Sequence, residues 1–398
     1  MAWTLGLALL SVALVGQITA IPFDDRLFGA LLMEDGETGA EDGEPKMTIF
    51  QLPEHLKPTE YEIHVEPDLE KAEFSGQAKI TVQVESATTT IVLNAKYIKV
   101  AKESVRVTRI NRARPVHSQV TAVTFDIPNE QMTITLAESM VRTGVYVVEI
   151  AYSGVLGKDM MGFYLSKYRA NGKDKLMAST QFEATGARRA FPCFDQPNYK
   201  VPVTIKITRG SHLTSISNMP LKNSQRAPNS DKVIDTFMTS PNMPTYLIGF
   251  SVFEFGKISN PAGTFRVWGR EDVIDKQGRY IFEKGQTILA KLSEYMDIDY
   301  YTTMPKMDLV AVPDFDAGAM ENWGMTTYRE NYIFFDKAQC SAPVYISGLS
   351  LVSHVFSHHW FGSIVTAFKW DYAWLNEAFG RYYEYFGLHL VNRTTLCS

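Results

Sequence analysis

The sequence predicts an α+β multidomain protein in which an all-β domain precedes a domain of mixed helices and strands. Short alternating or β-branched runs, among them KITVQVE, TTTIVLNA, AVTFDI and VYVVEIAY, recur between residues 47 and 257. Beyond residue 258 a long helical stretch, VIDKQGRYIFEKGQTILAKLSEYM, precedes the strand-like MDLVAVPDF and TTYRENYIFF and two further helical runs. We therefore place an all-β domain at residues 47–257 and a mixed domain at residues 258–398.

Residues 1–20 have the pattern of a secretory signal peptide. They carry no charged side chain, and their apolar run ends in the small residue Ala20, after which cleavage is expected. No Lys or Arg precedes the apolar run to hold it in the cytoplasm. The sequence thus predicts a secreted protein. The alternative is a membrane anchor formed by an uncleaved N-terminal segment, because the weakly polar stretch through Phe23 is nearly long enough to span a bilayer.

Residues 21–46 form an acidic segment that we expect to be a disordered leader. Between residues 24 and 46 there are eight acidic side chains, two basic ones and recurrent glycines. Removing the net charge of −6 in this stretch from the whole-chain charge of −5 leaves +1 for the remainder. The folded part is therefore nearly neutral, and nothing in its charge indicates nucleic acid as a partner.

The three cysteines, Cys193, Cys340 and Cys397, have spacings that suggest neither a disulfide framework nor a C-x-x-C metal site. Cys193 lies within the apolar run FPCF, which predicts a buried core residue. An N-glycosylation sequon begins at Asn392, and we expect it to be used if the chain is secreted.

Two histidines in the helical stretch LVSHVFSHHW are candidate metal ligands. His354 and His358 are four residues apart, so on a helix their side chains share one face. Two neutral imidazoles at this spacing can reach a single zinc ion, as in the H-E-x-x-H motif of zinc peptidases. The general-base Glu of that motif is missing, because Val355 follows the first histidine.

A carboxylate for the same metal is available at the start of the last helical run. Glu377 belongs to WLNE and opens NEAFGRYYEYFGLHL, after a connection that follows the histidine helix. A helix, a connection and a facing helix can deliver Glu377 as the third ligand. Three protein ligands leave a fourth position open, which is the arrangement of catalytic rather than structural zinc.

The third motif is GAMEN, formed by Gly318, Ala319, Met320, Glu321 and Asn322 directly after MDLVAVPDF. Together with the paired histidines and Glu377 it resembles the pattern of gluzincin zinc aminopeptidases of the aminopeptidase N type. That family has GAMEN, then H-E-x-x-H, then a Glu nineteen residues after the second His, and here Glu377 follows His358 by nineteen. The resemblance covers about residues 47–398 and includes TQFEATGARRAFPCFDQP. It implies a saddle-like β domain, then a thermolysin-like α/β catalytic domain holding one Zn²⁺ ion.

The resemblance also implies a site that recognises a free peptide amino terminus. Glu321 of GAMEN, assisted by Glu183 and Gln181 of TQFE, would pair with the ammonium group. The GAMEN backbone would hold the peptide in an extended conformation. Peptides with a free N-terminus are therefore the expected partners. An alternative interpretation makes Glu183 an ordinary surface acid before a loop.

Departures from the family pattern predict a hydrolytically inactive or strongly impaired protein, a pseudo-peptidase. Val355 cannot accept a proton from water, and a general base is typically worth ~10²–10⁴ in rate. The family also uses a Tyr oxyanion donor far downstream of the third ligand, and the sequence reaches Ser398 before any matching position. Outer-shell groups tune metal binding, so zinc affinity is also affected by further departures at Phe356, Ser357, His359, Ser363, Phe368, Lys369, Tyr372 and Ala373.

Two alternatives stay open at the level of sequence. One is a weakly active zinc metalloaminopeptidase in which His359 or Asp316 replaces the missing base. The other is a relic or an interaction scaffold without zinc. Since the family's catalytic domain continues beyond the third ligand, we also expect an exposed apolar surface that binds a protein partner or promotes self-association.

Overall fold

A computed structural model of the chain describes residues 51–111 and 114–392. The predicted signal peptide and acidic leader, Cys397 and the side chains of the sequon that begins at Asn392 lie outside the described residues. All the described residues belong to one compact unit. Within these two ranges, no helix combines the length and the apolar character that crossing a membrane requires.

Strands occupy most of the N-terminal part of the described chain. In chain order they are β1 Leu56–Asp68, β2 Glu73–Val84, β3 Thr88–Asn94, β4 Ile98–Lys99, β5 Val105–Arg109, β6 Val116–Ser118, β7 Val120–Asp126, β8 Gln131–Met140, β9 Val145–Val155, β10 Gly162–Ala170, β11 Lys173–Gln181, β12 Val203–Arg209, β13 Thr214–Ser217, β14 Leu221–Arg226, β15 Val233–Phe237, β16 Phe250–Phe253, β17 Gly256–Ser259, β18 Phe265–Gly269, β19 Met307–Val312, β20 Ala319–Met320 and β21 Met325–Arg329. The runs KITVQVE, TTTIVLNA, AVTFDI and VYVVEIAY fall on β2, β3, β7 and β9, which confirms these predicted strands.

The strands of the described ranges form four sheets. The largest has the order β14-β15-β12-β1-β2-β9-β5-β6, with β4 beside β9. The others are β3-β8-β7, β10-β11-β16-β13 and β17-β18-β19-β21-β20. The first three sheets are antiparallel apart from the β1 and β12 pair, whereas β19 runs parallel to both β18 and β21. An antiparallel β region followed by a mixed sheet with helices confirms the predicted fold class.

The hairpin of β10 and β11 was not predicted, although it contributes to the candidate site. Its strands lack the β-branched runs that identified the other strands, and β11 begins with three charged side chains in a row. The signal was in the turn: Asn171 and Gly172 join the strands with φ angles of 51° and 74°. Asn-Gly is a favoured pair for such a two-residue turn because both residues tolerate positive φ. The paired register runs to Gln181 opposite Gly162, which places Gln181 at the end of the hairpin.

Six helices follow within the described ranges. They are α1 Ile274–Gln277, α2 Arg279–Met296, α3 Tyr300–Thr303, α4 Glu330–Ile333, α5 Ala342–Ser357 and α6 Ala373–Asn392. The long helix predicted over residues 273–296 is interrupted at Gly278, a residue type that weakens helices. The strand predicted for TTYRENYIFF is correct only as far as Arg329. Glu330 then begins α4, with its carboxylate held by two hydrogen bonds of 2.8 Å from Arg270.

Buried polar side chains join the β region to the segment that contains GAMEN. The Asn218 side-chain amide donates to the carbonyls of Leu247 and Trp323 at 2.8 and 2.9 Å, and its oxygen accepts from Gly249 N–H. Each of these groups is removed from water, so a lost partner would cost roughly 1–3 kcal/mol. The arrangement fixes the segment after β20 against the β region.

Lys306 makes a second connection beneath the same segment. Its ammonium donates to the carbonyls of Ser217 and Gly324 at 2.7 Å and lies 2.7 Å from a carboxylate oxygen of Asp308. Burial lowers the pKa of Lys306 to about 8, although Asp308 opposes this shift. The Lys306 side chain therefore links Ser217, at the end of β13, to Gly324, two residues after GAMEN.

Cys193 is fully buried, as predicted from FPCF, and it is a free cysteine, as is the half-buried Cys340.

Candidate metal centre and amine-binding site

The candidate centre lies where helices α5 and α6 approach closely. Gly380 of α6 faces the two histidines, since a Cβ there would lie 2.7 Å from His358 Nε2 and 2.8 Å from His354 Cε1. Ser353 of α5 donates from its hydroxyl to the Tyr383 carbonyl of α6 at 2.7 Å. The absence of a side chain at residue 380 thus lets the second helix reach the imidazoles.

The structure brings together the three residues predicted to hold zinc. His354 Nε2 and His358 Nε2 are 3.0 Å apart. Carboxylate oxygens of Glu377 lie 3.5 Å from His354 Nε2 and 3.6 Å from His358 Nε2. His358 follows the last helical residue of α5 but retains a right-handed helical backbone, with φ −62° and ψ −19°, so the shared face predicted for the pair is kept.

These distances fit a single tetrahedral ion. Ligand atoms at ~2.0–2.2 Å from zinc lie roughly 3.3–3.6 Å from one another, and the observed separations of 3.0–3.6 Å are close to that range. Two imidazoles and one carboxylate are also the donor types that zinc takes in catalytic sites. The residues present therefore fit the metal that the sequence predicts.

The other ring nitrogen of each imidazole faces an oxygen atom, and for His358 that contact is a hydrogen bond. His358 Nδ1 is 3.1 Å from the Phe361 carbonyl, to which an Nδ1–H group donates. His354 Nδ1 lies 3.5 Å from an oxygen of Glu384, a residue that the sequence interpretation missed. Its signal was spacing, because Glu384 follows Glu377 by seven residues and so lies on the same face of α6, two turns later.

The charges of the centre stabilise one another. Burial alone would lower the pKa of His354, but Glu377 and Glu384 outweigh it and raise that pKa to about 9. Burial raises the pKa of Glu377, and the two histidines more than offset this, lowering it to about 2. In the metal-free protein the carboxylate is thus ionised beside a protonated imidazole, and a bound cation would take the place of that proton.

Carboxylates from two other segments converge beside the centre. One oxygen each of Glu183, Glu321 and Glu377 lie within 4.8 Å of one another. Glu321 is 5% exposed, and its Oε1 is 3.8 Å from His358 Nδ1. Burial and the neighbouring carboxylates raise the pKa of Glu183 well above its usual value. This arrangement favours a positively charged group between the acids, and the half-buried Glu183 lies beside the candidate centre.

The GAMEN segment enters the site as an edge strand. β20 consists of Ala319 and Met320, which pair with Tyr328 and Thr327 of β21. Gly318 accepts a hydrogen bond of 3.0 Å from the Arg329 N–H, which closes the other end of this short ladder. The backbone that leads into Glu321 is therefore fixed on one side by the mixed sheet.

Asn322 and Gln181 fasten the same segment from the side of the β region. The Asn322 side chain donates to the Ile248 carbonyl at 3.1 Å, and a Cβ at Gly249 would collide with it at 2.8 Å. Gln181 donates to the Met320 sulfur at 3.6 Å. All seven residues predicted to bind peptide thus lie in or beside one segment next to the candidate metal centre.

The base position of α5 is occupied by a valine. Val355 is 2% exposed and belongs to the apolar core. His359, one of the two proposed substitutes, is packed in the core as well, with its ring 5.2 Å from Tyr300 and 6.2 Å from Phe356. Burial, with a smaller effect of His358, lowers the pKa of His359 to about 3.

Asp316, the other proposed substitute, is exposed on the loop before GAMEN. Its backbone carbonyl accepts a hydrogen bond from Arg329. Neither Asp316 nor His359 belongs to the groups of described residues whose ligand atoms converge. The geometry therefore offers no support for either residue as a replacement base.

Comparisons with known proteins match the chain in both of its parts. Residues 57–247 match the peptidase M1 N-terminal domain, and residues 280–396 match the peptidase family M1 domain. Endoplasmic reticulum aminopeptidase 1 of Homo sapiens is 35% identical over 348 residues, which cover 86% of this chain and 36% of that protein.

Two further relatives give a similar result. Glutamyl aminopeptidase of Bitis rhinoceros is 32% identical over 86% of this chain and 35% of its own length. Aminopeptidase M1-D of Oryza sativa subsp. japonica is 35% identical over 84% of this chain and 37% of its own length. The chain thus spans about a third of the length of the curated relatives it matches.

Proposed function

Because this chain belongs to peptidase family M1, we propose that it binds one zinc ion and captures free peptide amino termini with little or no hydrolysis. The observation that carries this proposal is a contrast within one turn of α5. His354 and His358 converge with Glu377, whereas Val355 between them is buried and apolar. The ligands of a zinc peptidase are together, and the proton acceptor is replaced by a hydrocarbon side chain.

Zinc would be held by the three convergent ligands. Peptidases of this family are zinc-dependent, and in such a site the metal supplies Lewis acidity toward a carbonyl oxygen. The chain's own contribution is to fix the ligand geometry: the Phe361 carbonyl orients His358, and the approach of Gly380 brings Glu377 within reach. A preorganised ligand set of this kind supports metal binding independently of catalysis.

The amino terminus of a peptide would be held by the neighbouring carboxylates. A primary ammonium has three N–H donors, and Glu183 and Glu321 offer acceptor oxygens within 4.8 Å of each other. Charge-assisted hydrogen bonds are roughly twice as strong as neutral ones. Burial, with repulsion from Glu321 and Glu377, raises the pKa of Glu183, and a bound cation would relieve the repulsion, which gives the peptide terminus a favourable electrostatic contribution.

Hydrolysis needs a proton acceptor that this site lacks. Loss of a positioned general base typically costs ~10²–10⁴ in rate, or roughly 3–5 kcal/mol of transition-state stabilisation. His359 is enclosed by the aromatic core and Asp316 lies out on its loop, so neither compensates for Val355. Binding of the substrate would survive this loss because it depends on other residues.

Secretion and glycosylation are part of the proposal. They are supported by the signal-peptide pattern of residues 1–20 and by the sequon at Asn392. One relative is named an endoplasmic reticulum aminopeptidase, which agrees with entry into the secretory pathway. Sequencing the N-terminus of protein secreted by eukaryotic cells should give Ile21, whereas an intact Met1 in a membrane fraction would favour the anchored alternative.

The first test is the zinc content of the purified protein after dialysis, measured by elemental analysis. We expect about one zinc per chain in the wild type and none in His354→Ala. His117→Ala, which alters an exposed imidazole of β6, should keep the metal. A folded wild-type protein that contains no zinc would overturn the proposal and leave an interaction scaffold or a relic.

The second test separates capture from cleavage. A fluorescent peptide with a free amino terminus should bind the zinc-loaded protein, and its N-acetylated counterpart should not. Glu321→Gln should weaken that binding by at least roughly tenfold, since it removes a charged acceptor. Aminoacyl-arylamide substrates should not be hydrolysed appreciably, and turnover that a chelator abolishes would favour the weakly active aminopeptidase instead.

A further inference from the structure

Glu384 lies outside the predicted ligand set, yet it contacts one of the ligands. Its Oε2 is 3.5 Å from His354 Nδ1, on the opposite edge of the ring from the nitrogen that faces Glu377 at 3.5 Å. The imidazole of His354 is therefore held between two carboxylates of the same helix. Glu377 and Glu384 are seven residues apart, which places them about 10 Å apart along α6. The imidazole of His354 lies between them and is contacted from both sides.

We propose that Glu384 is a positioning residue that accepts the Nδ1–H of His354 and so presents its Nε2 to the metal. The proposal rests on the zinc binding proposed above and adds a residue to it. An imidazole that binds a metal through Nε2 carries its remaining proton on Nδ1. A buried N–H without an acceptor is destabilising, so this proton needs a partner.

The second histidine meets the same requirement in a different way. His358 Nδ1 has the Phe361 carbonyl at 3.1 Å, an acceptor supplied by the backbone just after α5. His354 lies one turn earlier, where the carbonyls of α5 are already used within the helix, so a side chain has to provide the acceptor. Glu384 is the carboxylate that the second helix places there. His358 Nδ1 thus faces a neutral carbonyl oxygen at hydrogen-bond distance, and His354 Nδ1 faces a carboxylate oxygen at 3.5 Å.

Arg381 fixes the orientation of this acceptor. Its Nη1 lies 2.8 Å from each carboxylate oxygen of Glu384, and the Glu384 side chain is 14% exposed. Another ion pair three residues apart, Lys291 with Glu294 on α2, serves as a reference, because there the Glu side chain is 71% exposed. An exposed pair of that kind contributes little. The burial of Glu384 against His354 distinguishes it from an ordinary helix-surface pair.

Zinc affinity measured by competition with a chromophoric chelator tests the proposal on the full-length protein. Glu384→Ala should weaken zinc binding by roughly 10–100-fold, the usual effect of removing an outer-shell partner of a metal-bound histidine. Glu384→Gln retains an acceptor oxygen at the same reach and should lose less affinity than Glu384→Ala. Glu384→Asp is one methylene shorter and should behave like Glu384→Ala.

Glu294→Gln is the control, since it removes the charge of an exposed ion pair with the same three-residue spacing on α2, and its zinc affinity should equal that of the wild type. The melting temperature of each metal-free variant is recorded in parallel. A Glu384→Ala protein with lower metal-free stability and unchanged zinc affinity would overturn the positioning role in favour of a structural one. If that variant does not fold, a Glu384→Gln affinity equal to the wild type, with Glu384→Asp also equal, overturns it instead.

The outcome also separates this inference from the function on which it rests. If the wild-type protein binds no zinc, both are wrong. If the wild type binds zinc and all three Glu384 variants bind it equally well, only the role of Glu384 is wrong.

Discussion

Helices α5 and α6 supply the candidate metal centre together, yet they sit in different surroundings. On α5, Ser353, Val355 and Phe356 are at most 2% exposed and pack into the core. On α6, Trp374 is 65% exposed and Tyr385 56%. α6 is thus held by the face that it turns toward α5 and α2, where Tyr383 and Phe386 also contact Tyr295. The ligand geometry therefore depends on this inner face of α6, and the far side of α6 contributes little to it.

The largest effect is expected from a side chain inserted into that interface. A Cβ at Gly387 would lie 2.2 Å from the Ser353 hydroxyl and 3.2 Å from a Leu292 methyl group. Gly387→Leu should therefore push α6 away from α5 and destabilise the protein by about 3 kcal/mol, since overpacking of this size forces the backbone to move. Zinc binding should be lost along with it.

Chemical denaturation and zinc titration of Gly387→Leu check this prediction. Ala378→Leu is the control, because it adds the same side chain at an exposed position of α6. If Gly387→Leu keeps both its stability and its zinc, the shared face is not what holds the ligands in place.

A smaller effect, on the pH dependence of stability, is expected from the second of the two adjacent histidines at the end of α5. His358 faces the metal centre, whereas His359 lies in the core with its pKa lowered from 6.5 to about 3 by burial and by His358. The unfolded chain therefore binds more protons than the folded one below pH 6.5. The contribution of neutral His359 to the free energy of unfolding is complete above pH 6.5. As the pH falls toward 3, this contribution is lost by about 1.4 kcal/mol per pH unit.

His359→Leu should accordingly lose less stability in acid than the wild type. Between pH 6.5 and pH 5 the two should differ by about 2 kcal/mol in how far the free energy of unfolding falls. Urea denaturation of the metal-free protein at pH 7, 6 and 5 measures it. His117→Leu replaces an exposed imidazole and should leave the wild-type slope unchanged. Parallel profiles for wild type and His359→Leu would mean that His359 is not a buried neutral group in solution.

The smallest effect on stability is expected on the outer face of α6. Replacing Trp374 and the 44%-exposed Leu375 with Ser should change the free energy of unfolding by less than about 0.5 kcal/mol and leave zinc binding intact. It should, however, reduce the binding of a hydrophobic dye and any concentration-dependent association, because large exposed apolar patches promote both. Sedimentation at several protein concentrations provides the measurement.

Tyr97→Ser is a suitable control for this surface. Tyr97 is 73% exposed but lies in the β region. Equal dye binding by the wild type and the Trp374, Leu375 variant would show that the outer face of α6 does not behave as an apolar surface in solution.

Local patterns in the sequence determined much of the architecture. Alternating runs located β2, β3, β7 and β9, and the helical periodicity of NEAFGRYYEYFGLHL identified most of α6. The change at Gly278 and the start of α4 at Glu330 were missed, because a single glycine or one ion pair overrides the propensity of a longer run. The β10 and β11 hairpin was missed because its strands lack β-branched runs, although its Asn-Gly turn was visible.

Spacing in the sequence also determined which residues could meet at the site. The intervals of four and nineteen residues selected His354, His358 and Glu377, and the chemistry of valine excluded a base at residue 355. Only the tertiary structure decided that Glu384 contacts His354, that Gly380 admits α6 to the imidazoles and that His359 turns into the core. The reason is physical: periodicity fixes the face of one helix on which a residue lies, whereas contacts between helices depend on how their side chains pack in three dimensions.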